Sequence, residues 1–218
     1  MKTEIILVRH AEPLKMKMKF INSDLQKNNE LIPLSGRGEK AAEELSQKKF
    51  FNDVSVVISS NYIRAIDTAK YIAEKNNCDF IVDNNLGERK MGTEIKTNDF
   101  WITQLFNSDA KTADGESQNE VRKRMLIVLE KVLKEYRGKR IVLVSHATAI
   151  TFLLMNWCKL EDAELKSKRR KLSFDNKEVI NDSFGTPEVF RLIFEDDKVV
   201  LIERVVGGVV MDFGTWGN

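Results

Sequence analysis

The chain has 218 residues, of which 42% are hydrophobic, and its 35 lysines and arginines against 33 aspartates and glutamates give a formal net charge of +2. This length supports one α/β domain with a substantial core, and so balanced a charge neither attracts nucleic acid nor favours an anionic membrane surface. The two cysteines, Cys78 and Cys158, are too few for a disulfide framework and lack metal-ligand spacing.

The apolar runs of the sequence are short. None approaches the roughly 18 residues that a membrane span needs. At the beginning of the chain, Glu4 and Arg9 bracket only four apolar residues, which is too short for the core of a signal peptide. We therefore expect a protein of the reducing cytoplasm, with neither a membrane nor a nucleic acid among its partners.

Strand-like and helix-like stretches alternate along the chain, which is typical of a largely parallel sheet covered on both faces. Ser117 and Glu120 have capping-box spacing at the start of the longest helix-like stretch. The pattern predicts a three-layer α/β/α fold around a largely parallel central sheet. The predicted strands cover residues 5–8, 54–58, 80–82 and 141–144, and the predicted helices cover 36–49, 62–75, 117–136 and 147–157.

Two further stretches depart from this alternation. The region from 89 to about 115 loses clear periodicity but keeps several aromatic residues, which predicts a small, partly helical lid. We expect this lid to be inserted into a single domain that covers residues 1–218. Near the end of the chain, residues 188–194 and 199–206 are separated by four residues, which predicts a C-terminal hairpin.

Only two histidines occur in the chain, and each directly follows an apolar, strand-like run. His10 lies in IILVRHAEP and His146 lies in RIVLVSHATAI. A residue just beyond the carboxyl end of a strand in an α/β protein points into the crevice where such folds bind ligands. If the two strands are neighbours, both imidazoles and the adjoining Arg9 enter one pocket.

A further cation follows the second predicted strand. The segment SSNYIRAIDTAK places Arg64 in the first turn of a helix, where backbone N–H groups already favour an anion. Arginine binds phosphate through paired hydrogen bonds. A neutral imidazole in line with phosphorus can attack it while cations absorb the charge on the other oxygens. Two imidazoles and two guanidiniums therefore predict phosphoryl chemistry through a phosphohistidine, with no metal and no cofactor.

Five ordered motifs of the chain resemble those of the histidine phosphatase superfamily, the phosphoglycerate-mutase-like proteins, over nearly the whole length. The motifs are LVRHAEP, PLSGRGEKAAEEL, SSNYIRAIDTA, LGERKMG and VSHATAI. The resemblance implies that His10 is the phosphorylated nucleophile and that Arg9, Arg64 and His146 bind the phosphate. It also implies that Glu88 donates the proton to the leaving oxygen.

Three residues are expected to have roles other than attack on phosphorus or binding of the phosphate. Glu88 suits acid–base work because an alkoxide leaves slowly unless it is protonated, and the same carboxylate can later deprotonate the attacking water. Arg89, which the mutase motif also has, is expected to reach a second anionic group of the substrate. Ala147 stands where the family has a glycine after its second histidine, and it is a further candidate for substrate binding.

The chain departs from the family pattern after the nucleophile. The mutases and several sugar-phosphate phosphatases have an Asn six residues and an Arg ten residues after the histidine, but here those positions hold Met16 and Phe20. Asn22 or a nearby lysine is the available substitute. Because the family's Asn and Arg are replaced, we expect a substrate pocket unlike that for phosphoglycerate. The short lid favours hydrolysis over transfer, because a mutase must protect its bisphosphate intermediate from water. The nearby lysines are Lys15, Lys17 and Lys19.

The remaining polar features have structural explanations. Residues 166–171, KSKRRK, resemble a phosphate-binding cluster, but no aromatic residue lies within it for base stacking, and acidic residues precede it. We therefore predict a solvated loop there. The hydroxyls of Ser59, Ser60 and Ser145 are expected to satisfy backbone groups at strand ends.

Three functions stay open on the sequence. The favoured function is a metal-independent phosphatase that hydrolyses a small phosphorylated metabolite through a phosphohistidine on His10. The second is a phosphoglycerate-type mutase, and the third is a catalytically weak module that binds phosphorylated ligands. The sequence indicates neither the physiological substrate nor the oligomeric state.

Overall fold

The structure is a computed structural model that describes residues 1–15, 24–92 and 100–208. Its strands are β1 (Lys2–Arg9), β2 (Val54–Ser59), β3 (Asp79–Val82), β4 (Arg140–Ser145), β5 (Lys159–Glu164), β6 (Arg169–Phe174), β7 (Lys177–Asp182), β8 (Glu188–Glu195) and β9 (Lys198–Val206). Its helices are α1 (Leu25–Glu30), α2 (Gly36–Ser46), α3 (Ile63–Asn76), α4 (Phe100–Phe106), α5 (Gln118–Glu135) and α6 (Ala147–Leu154). No helix among these residues is long and apolar enough to cross a membrane.

The central sheet has six strands in the order β3-β2-β4-β1-β8-β9. The first four strands of that order are parallel to one another. The strands β8 and β9 extend the sheet in antiparallel pairing beside β1. The predicted largely parallel sheet with a C-terminal hairpin is therefore confirmed.

The core lies on both faces of this sheet, because successive side chains of a strand point to opposite sides. Ile5 and Leu7 of β1 pack with apolar residues of α5 and α6, whereas Ile6 and Val8 pack with those of α2 and α3. All four side chains are buried, and each contributes about 1.5–3 kcal/mol to folding. These two layers of helices confirm the three-layer α/β/α prediction and fix β1 at the centre of the molecule.

The register of the central strands brings three chain segments to one edge of the sheet. In β1 and β4, Arg9 lies opposite Ser145 at the last paired position. On the other side of β4, Ser59 of β2 lies opposite Val144. The residues that follow β1, β2 and β4 therefore leave the sheet next to one another.

The predicted helices form, and the caps explain their boundaries. Ser117 begins α5 with the predicted capping box, since the Glu120 N–H donates to its hydroxyl and its own N–H donates to the Glu120 carboxylate. Two helices end three residues before their predicted ends, α2 at Ser46 and α6 at Leu154. In both places the chain continues in tighter turns with i to i+3 hydrogen bonds.

The predicted solvated loop at residues 166–171 is wrong. Strand β6 runs through its second half and is the middle strand of a separate antiparallel sheet, β5-β6-β7. Along β6, Arg170 and Leu172 are buried while their neighbours Arg169, Lys171 and Ser173 are more exposed. Burial therefore alternates with a period of two residues, as in a strand, although the run of charged residues does not show this in the sequence. The turn after β6, Asp175-Asn176, has positive φ at both residues, as a type I′ hairpin requires.

Some predictions concern residues outside the described part of the chain. Met16, Lys17, Lys19, Phe20 and Asn22 lie there, as do residues 93–99 of the predicted lid. Within the lid, the described part holds the short helix α4.

Candidate active site

The two histidines meet at the edge of the sheet where β1 and β4 end. Their ring centroids are 5.0 Å apart with the planes tilted by 60°. His10 is 4% exposed and His146 is fully buried. The predicted neighbouring strands therefore bring the imidazoles together, in an environment that excludes most water.

The hydrogen bonds of His10 fix which of its nitrogens carries the proton. Nδ1 lies 2.7 Å from the backbone carbonyl of Ala11, so Nδ1 holds the proton and donates it. Nε2 accordingly keeps its lone pair and accepts a hydrogen bond from Nε of Arg64 over 3.1 Å. Burial, followed by the charges of Arg64 and Arg9, lowers the pKa of His10 well below its ordinary value. The imidazole is therefore neutral, with a lone pair on Nε2.

The environment of His146 is similar, but its partner is a hydroxyl. Ser60 Oγ lies 2.8 Å from Nε2 of His146 and also accepts the backbone N–H of Tyr62. Nδ1 of His146 has no partner within the described residues. Burial, followed by the electrostatic effects of His10 and Arg64, lowers the pKa of His146 well below its ordinary value.

The contact between Ser60 and His146 was not predicted from the sequence. The hydroxyls of Ser59 and Ser145 donate to the backbone carbonyls of Ser60 and Leu86, as expected for residues at strand ends. Ser60 instead uses its hydroxyl on a side chain that is 86 positions away in sequence. Only the adjacency of β2 and β4 makes that contact available.

Arg9 is held rigidly by the backbone of a neighbouring loop. Its Nη1 donates to the carbonyls of Phe184 and Gly185, over 2.7 and 2.9 Å. Its Nε has no acceptor among the described residues. Burial lowers the pKa of Arg9 to about 10, against the attraction of Glu88 and Glu188.

Arg64 lies in the first turn of α3, as predicted, and contacts α1. Its Nη1 donates to the carbonyl of Asn29 over 2.6 Å, and its guanidinium lies over the ring of Tyr62, 4.6 Å from the centroid. Tyr62 in turn accepts a hydrogen bond from Gln26 of α1. Helix α1 therefore holds in place two residues that contact the histidines, Arg64 at His10 and Tyr62 at His146.

Glu88 lies at the N-terminus of α6, the helix that begins directly after His146. One carboxylate oxygen, Oε1, accepts the backbone N–H groups of Arg89 and Ala149, over 2.8 and 3.0 Å. The other, Oε2, accepts the N–H of Thr148 over 3.2 Å and no other donor among the described residues. The charge of Glu88 acts on both Arg9 and Arg64, opposing the lowering of their pKa values by burial. The carboxylate therefore belongs to the same cluster as the two arginines.

An ion pair behind Glu88 holds its loop in place. Arg124 of α5 donates to the carbonyls of Asn85, Gly87 and Glu88. The same guanidinium makes two hydrogen bonds to Glu116, whose carboxylate also accepts the Lys90 N–H. Burial opposes ionisation of Glu116, but these hydrogen bonds prevail and lower its pKa. Arg124 and Glu116 are positioning residues that the sequence did not single out for that role.

Arg89 and Ala147, the two further candidates for substrate binding, occupy different surroundings. Arg89 is buried and donates to the side chain of Gln104, so its guanidinium contacts α4. Gln104 is itself tied to the carbonyls of Ala110 and Glu116. Ala147 is the first residue of α6 and is partly exposed beside His146.

One charged residue near the site was missed because its strand was missed. Arg170 of β6 is buried, with its guanidinium 5.1 Å from the ring centroid of Trp101 and 4.6 Å from that of Phe184. Its Nη1 donates to the hydroxyl of Thr151 in α6 over 2.9 Å. The inward position of Arg170 in an alternating strand is the signal that could have identified it.

The arrangement has the components of a phosphoryl-transfer site. It contains a neutral imidazole with a lone pair on a defined nitrogen, a second imidazole and two fixed guanidiniums. A carboxylate lies in the same electrostatic neighbourhood. Such a set can bind a tetrahedral dianion and attack its central atom.

The solved structures that this chain is similar to share its fold. A mycobacterial glucosyl-3-phosphoglycerate phosphatase with inorganic phosphate is 17% identical and has a TM-score of 0.64, and the match covers 94% of this chain and 97% of that one. A phosphoserine phosphatase mutant of Entamoeba histolytica in complex with phosphoserine is 18% identical with a TM-score of 0.60, covering 92% and 96%.

Comparison with protein families and curated sequences assigns the chain to one family. The "Probable phosphoglycerate mutase GpmB" of Enterobacter sp. (strain 638) is 30% identical over 161 residues, which are 69% of this chain and 73% of that protein. The protein of the same name from Escherichia coli O1:K1 / APEC is 31% identical over 163 residues, with the same two shares. The model of the histidine phosphatase superfamily (branch 1) matches residues 5–180. The chain therefore belongs to the histidine phosphatase superfamily.

Proposed function

We propose that the protein hydrolyses a small phosphomonoester, without a metal, through a phosphohistidine on His10. The observation that carries this proposal is the bonding of His10, whose Nδ1 donates to the Ala11 carbonyl while Nε2 faces Arg64. A nucleophilic imidazole needs an unprotonated nitrogen and a neighbouring cation to receive the charge of the phosphoryl group. His10 has both.

In the first step, Nε2 of His10 attacks phosphorus and the bond from phosphorus to the ester oxygen breaks. The leaving oxygen takes a proton from Glu88 and departs as an alcohol. We assign that proton to Oε2, because this oxygen accepts a single backbone hydrogen bond and Oε1 accepts two. Arg9, Arg64 and His146 stabilise the charge on the remaining phosphoryl oxygens.

In the second step, water attacks phosphorus and the bond from Nε2 to phosphorus breaks. The Glu88 carboxylate takes a proton from that water, which restores the acid for the next cycle. Inorganic phosphate leaves and His10 is neutral again. The guanidiniums supply positive charge at the phosphoryl group, so the scheme assigns no role to a metal.

Trapping of the covalent intermediate tests this proposal. A purified sample quenched within milliseconds of mixing with a radiolabelled phosphomonoester should carry label that is stable to base and labile to acid, and His10→Ala should carry none. Turnover should survive a chelator, and vanadate should inhibit because it resembles five-coordinate phosphorus. Label on another residue, or activity that a chelator stops and a divalent metal restores, contradicts the proposal.

A mutase is the second candidate, because the curated relatives bear that name. A mutase would hand the phosphoryl group of His10 to an acceptor rather than to water, and it would depend on a bisphosphate primer. Transfer of label from the enzyme to an added hydroxy acid, faster than release of inorganic phosphate, would favour it. A phospho-ligand binding module would bind esters without turnover. The presence of His10, Glu88 and their partners in one cluster supports catalysis instead.

The surroundings of the cluster suit a small substrate. We infer a small phosphorylated metabolite, since the site offers a cationic and largely buried environment. We also propose that the protein acts in the cytoplasm. A screen of phosphorylated metabolites against the purified protein would measure which leaving group it accepts. Uniformly slow release of phosphate from every ester would argue against a metabolic phosphatase.

A further inference from the structure

Arg170 is a buried cation on a strand that otherwise carries its charges outward. Only 7% of Arg170 is exposed, whereas the preceding Arg169 points to the other side of the sheet and forms an ion pair with Asp162. Burying a guanidinium without a carboxylate partner is costly. The position of Arg170 therefore requires an explanation that the position of Arg169 does not.

The contacts of Arg170 come from three directions. Its guanidinium lies between the rings of Trp101 in α4 and Phe184, which is a favourable cation–π arrangement. Nη1 donates to the Thr151 hydroxyl over 2.9 Å and Nη2 donates to the Lys168 carbonyl over 3.1 Å. The Nε N–H has no acceptor within the described residues. The side chain is thus firmly placed but retains an unused donor.

Arg170 is also close to the catalytic cluster. Phe184 contacts both arginines, since its ring stacks on Arg170 and its carbonyl accepts from Arg9. Burial, followed by repulsion from Arg9, lowers the pKa of Arg170 to about 10, and Glu88 opposes that lowering. Arg170 therefore contributes to the same electrostatic field as Arg9 and Glu88.

The charges around the site do not balance without a ligand that has more than one anionic group. The nearby carboxylates of Glu188 and Asp182 are paired with Arg204. No ion pair among the described residues includes Arg9, Arg64, Arg89 or Arg170. These four guanidiniums carry four positive charges, against one negative charge on the Glu88 carboxylate and about −2 on a bound phosphoryl group. One positive charge is left over.

We propose that Arg170 is a specificity-determining residue that binds a second anionic group, a carboxylate or a phosphate, on the leaving-group side of the substrate. The inference rests on the proposed phosphatase function and adds to it the charge of the alcohol that is released. The residue that selects the substrate then comes from the separate sheet β5-β6-β7, while the residues that perform the chemistry come from the central sheet.

Matched substrate pairs test this inference. 3-Phosphoglycerate and glycerol 3-phosphate differ by a carboxylate in place of a hydroxymethyl group, and fructose 1,6-bisphosphate and fructose 6-phosphate differ by a second phosphate. The wild type should prefer the doubly anionic member of at least one pair in kcat/KM. Arg170→Met should remove that preference by raising KM about tenfold or more, the size expected for a charged hydrogen bond. Loss of preference in the phosphoglycerate pair identifies the second group as a carboxylate, and loss in the fructose pair identifies it as a phosphate.

Arg169→Met is the matched control, because it removes the neighbouring guanidinium from the exposed side of the same strand and should leave both substrate pairs unchanged. Equal loss on both members of a pair in Arg170→Met, or no preference in the wild type, would overturn the inference. If Arg170→Met does not fold by circular dichroism, Arg170→Lys replaces it and should reduce the preference for the doubly anionic member of the pair. Failure of the proposed function appears separately, as a wild type that hydrolyses no ester at all. Calorimetric binding of the same pairs would then decide the inference.

Discussion

Nε of Arg64 donates a hydrogen bond to Nε2 of His10 over 3.1 Å. The proposed reaction uses that nitrogen lone pair to attack phosphorus, so a bound phosphoryl group has to take over the Arg64 donor. The Nε N–H of Arg64, which donates to His10 before the reaction, would then donate to the phosphoryl group that His10 attacks. Arg64 therefore orients His10, and in the proposed reaction it would also stabilise the charge of the phosphoryl group.

Arg64→Met should lower kcat for p-nitrophenyl phosphate by about 10²- to 10³-fold, the usual result of removing a donor at a developing charge. Steady-state kinetics measures this. Arg37→Met is the control, because the Arg37 side chain is 81% exposed and pairs only with Glu12 among the described residues. An Arg64 variant that keeps most of its kcat would show that this guanidinium does not contact the phosphoryl group in the transition state.

Glu88→Gln should impair alkyl phosphates far more than p-nitrophenyl phosphate, because nitrophenolate leaves without a proton and an alkoxide does not. We expect a loss of about 10²-fold or more in kcat for glycerol 3-phosphate. The comparison requires both substrates on the same preparation, with the exposed Glu43→Gln as control. Equal losses on the two substrates would remove Glu88 from the role of acid.

The two buried histidines should make the fold less stable in acid. Their pKa values in the folded protein lie well below 6.5, whereas the unfolded chain titrates near 6.5. As the pH falls below that value the unfolded chain takes up protons that the folded protein does not, so the free energy of unfolding decreases. Each histidine should contribute up to about 1.4 kcal/mol per pH unit.

Urea unfolding at a series of pH values from neutral to mildly acidic measures this dependence. Because Gln does not titrate, His10→Gln should show a shallower decrease of stability with acid than the wild type. Identical slopes for the variant and the wild type would mean that His10 takes up its proton over the same pH range in the folded and the unfolded protein.

Gly38 should be far less tolerant of substitution than Gly36, two residues earlier in α2. A Cβ on Gly38 would lie 2.1 Å from the backbone carbonyl oxygen of Glu12, in the segment that follows His10, whereas a Cβ on Gly36 would meet nothing within 4 Å. Gly38→Ala should therefore destabilise the fold by about 1–3 kcal/mol. Gly36→Ala should be neutral or stabilising by up to about 1 kcal/mol.

Thermal or urea unfolding of the two glycine variants gives these values. The kcat of Gly38→Ala should also fall, because the displaced segment carries the Ala11 carbonyl that fixes the His10 tautomer. If both variants are equally stable, the close approach of α2 to the loop after β1 is not a constraint on the fold.

The central sheet and the histidine pair were predictable because both depend on local patterns. Apolar runs mark β1 and β4, and the two histidines follow strand-like stretches directly. Arg64 lies in the first turn of the helix after β2. The contacts that complete the site depend on tertiary structure instead. The Ser60–His146 hydrogen bond joins residues that are far apart in sequence. The Arg124–Glu116 pair consists of charged residues that look like ordinary surface charges in the sequence.

The separate sheet was missed for a different reason. In β6, basic residues occupy successive positions, so composition indicated a solvated loop although the alternation of burial is that of a strand. The sequence does not distinguish an arginine that points inward from one that points outward. Only the partners, Trp101 and Phe184 for Arg170 against Asp162 for Arg169, separate the two.

The attachment of Glu88 to the first turn of α6 has a consequence for how this protein can diversify. The carboxylate of the proposed proton donor accepts hydrogen bonds from the first turn of the helix that begins after His146, so that helix sets its distance from the imidazoles. Changes in α4 or in the β5-β6-β7 sheet can then alter which alcohol is accepted while the geometry of proton transfer is retained. New substrate ranges would be reachable by substitution in those two peripheral elements alone.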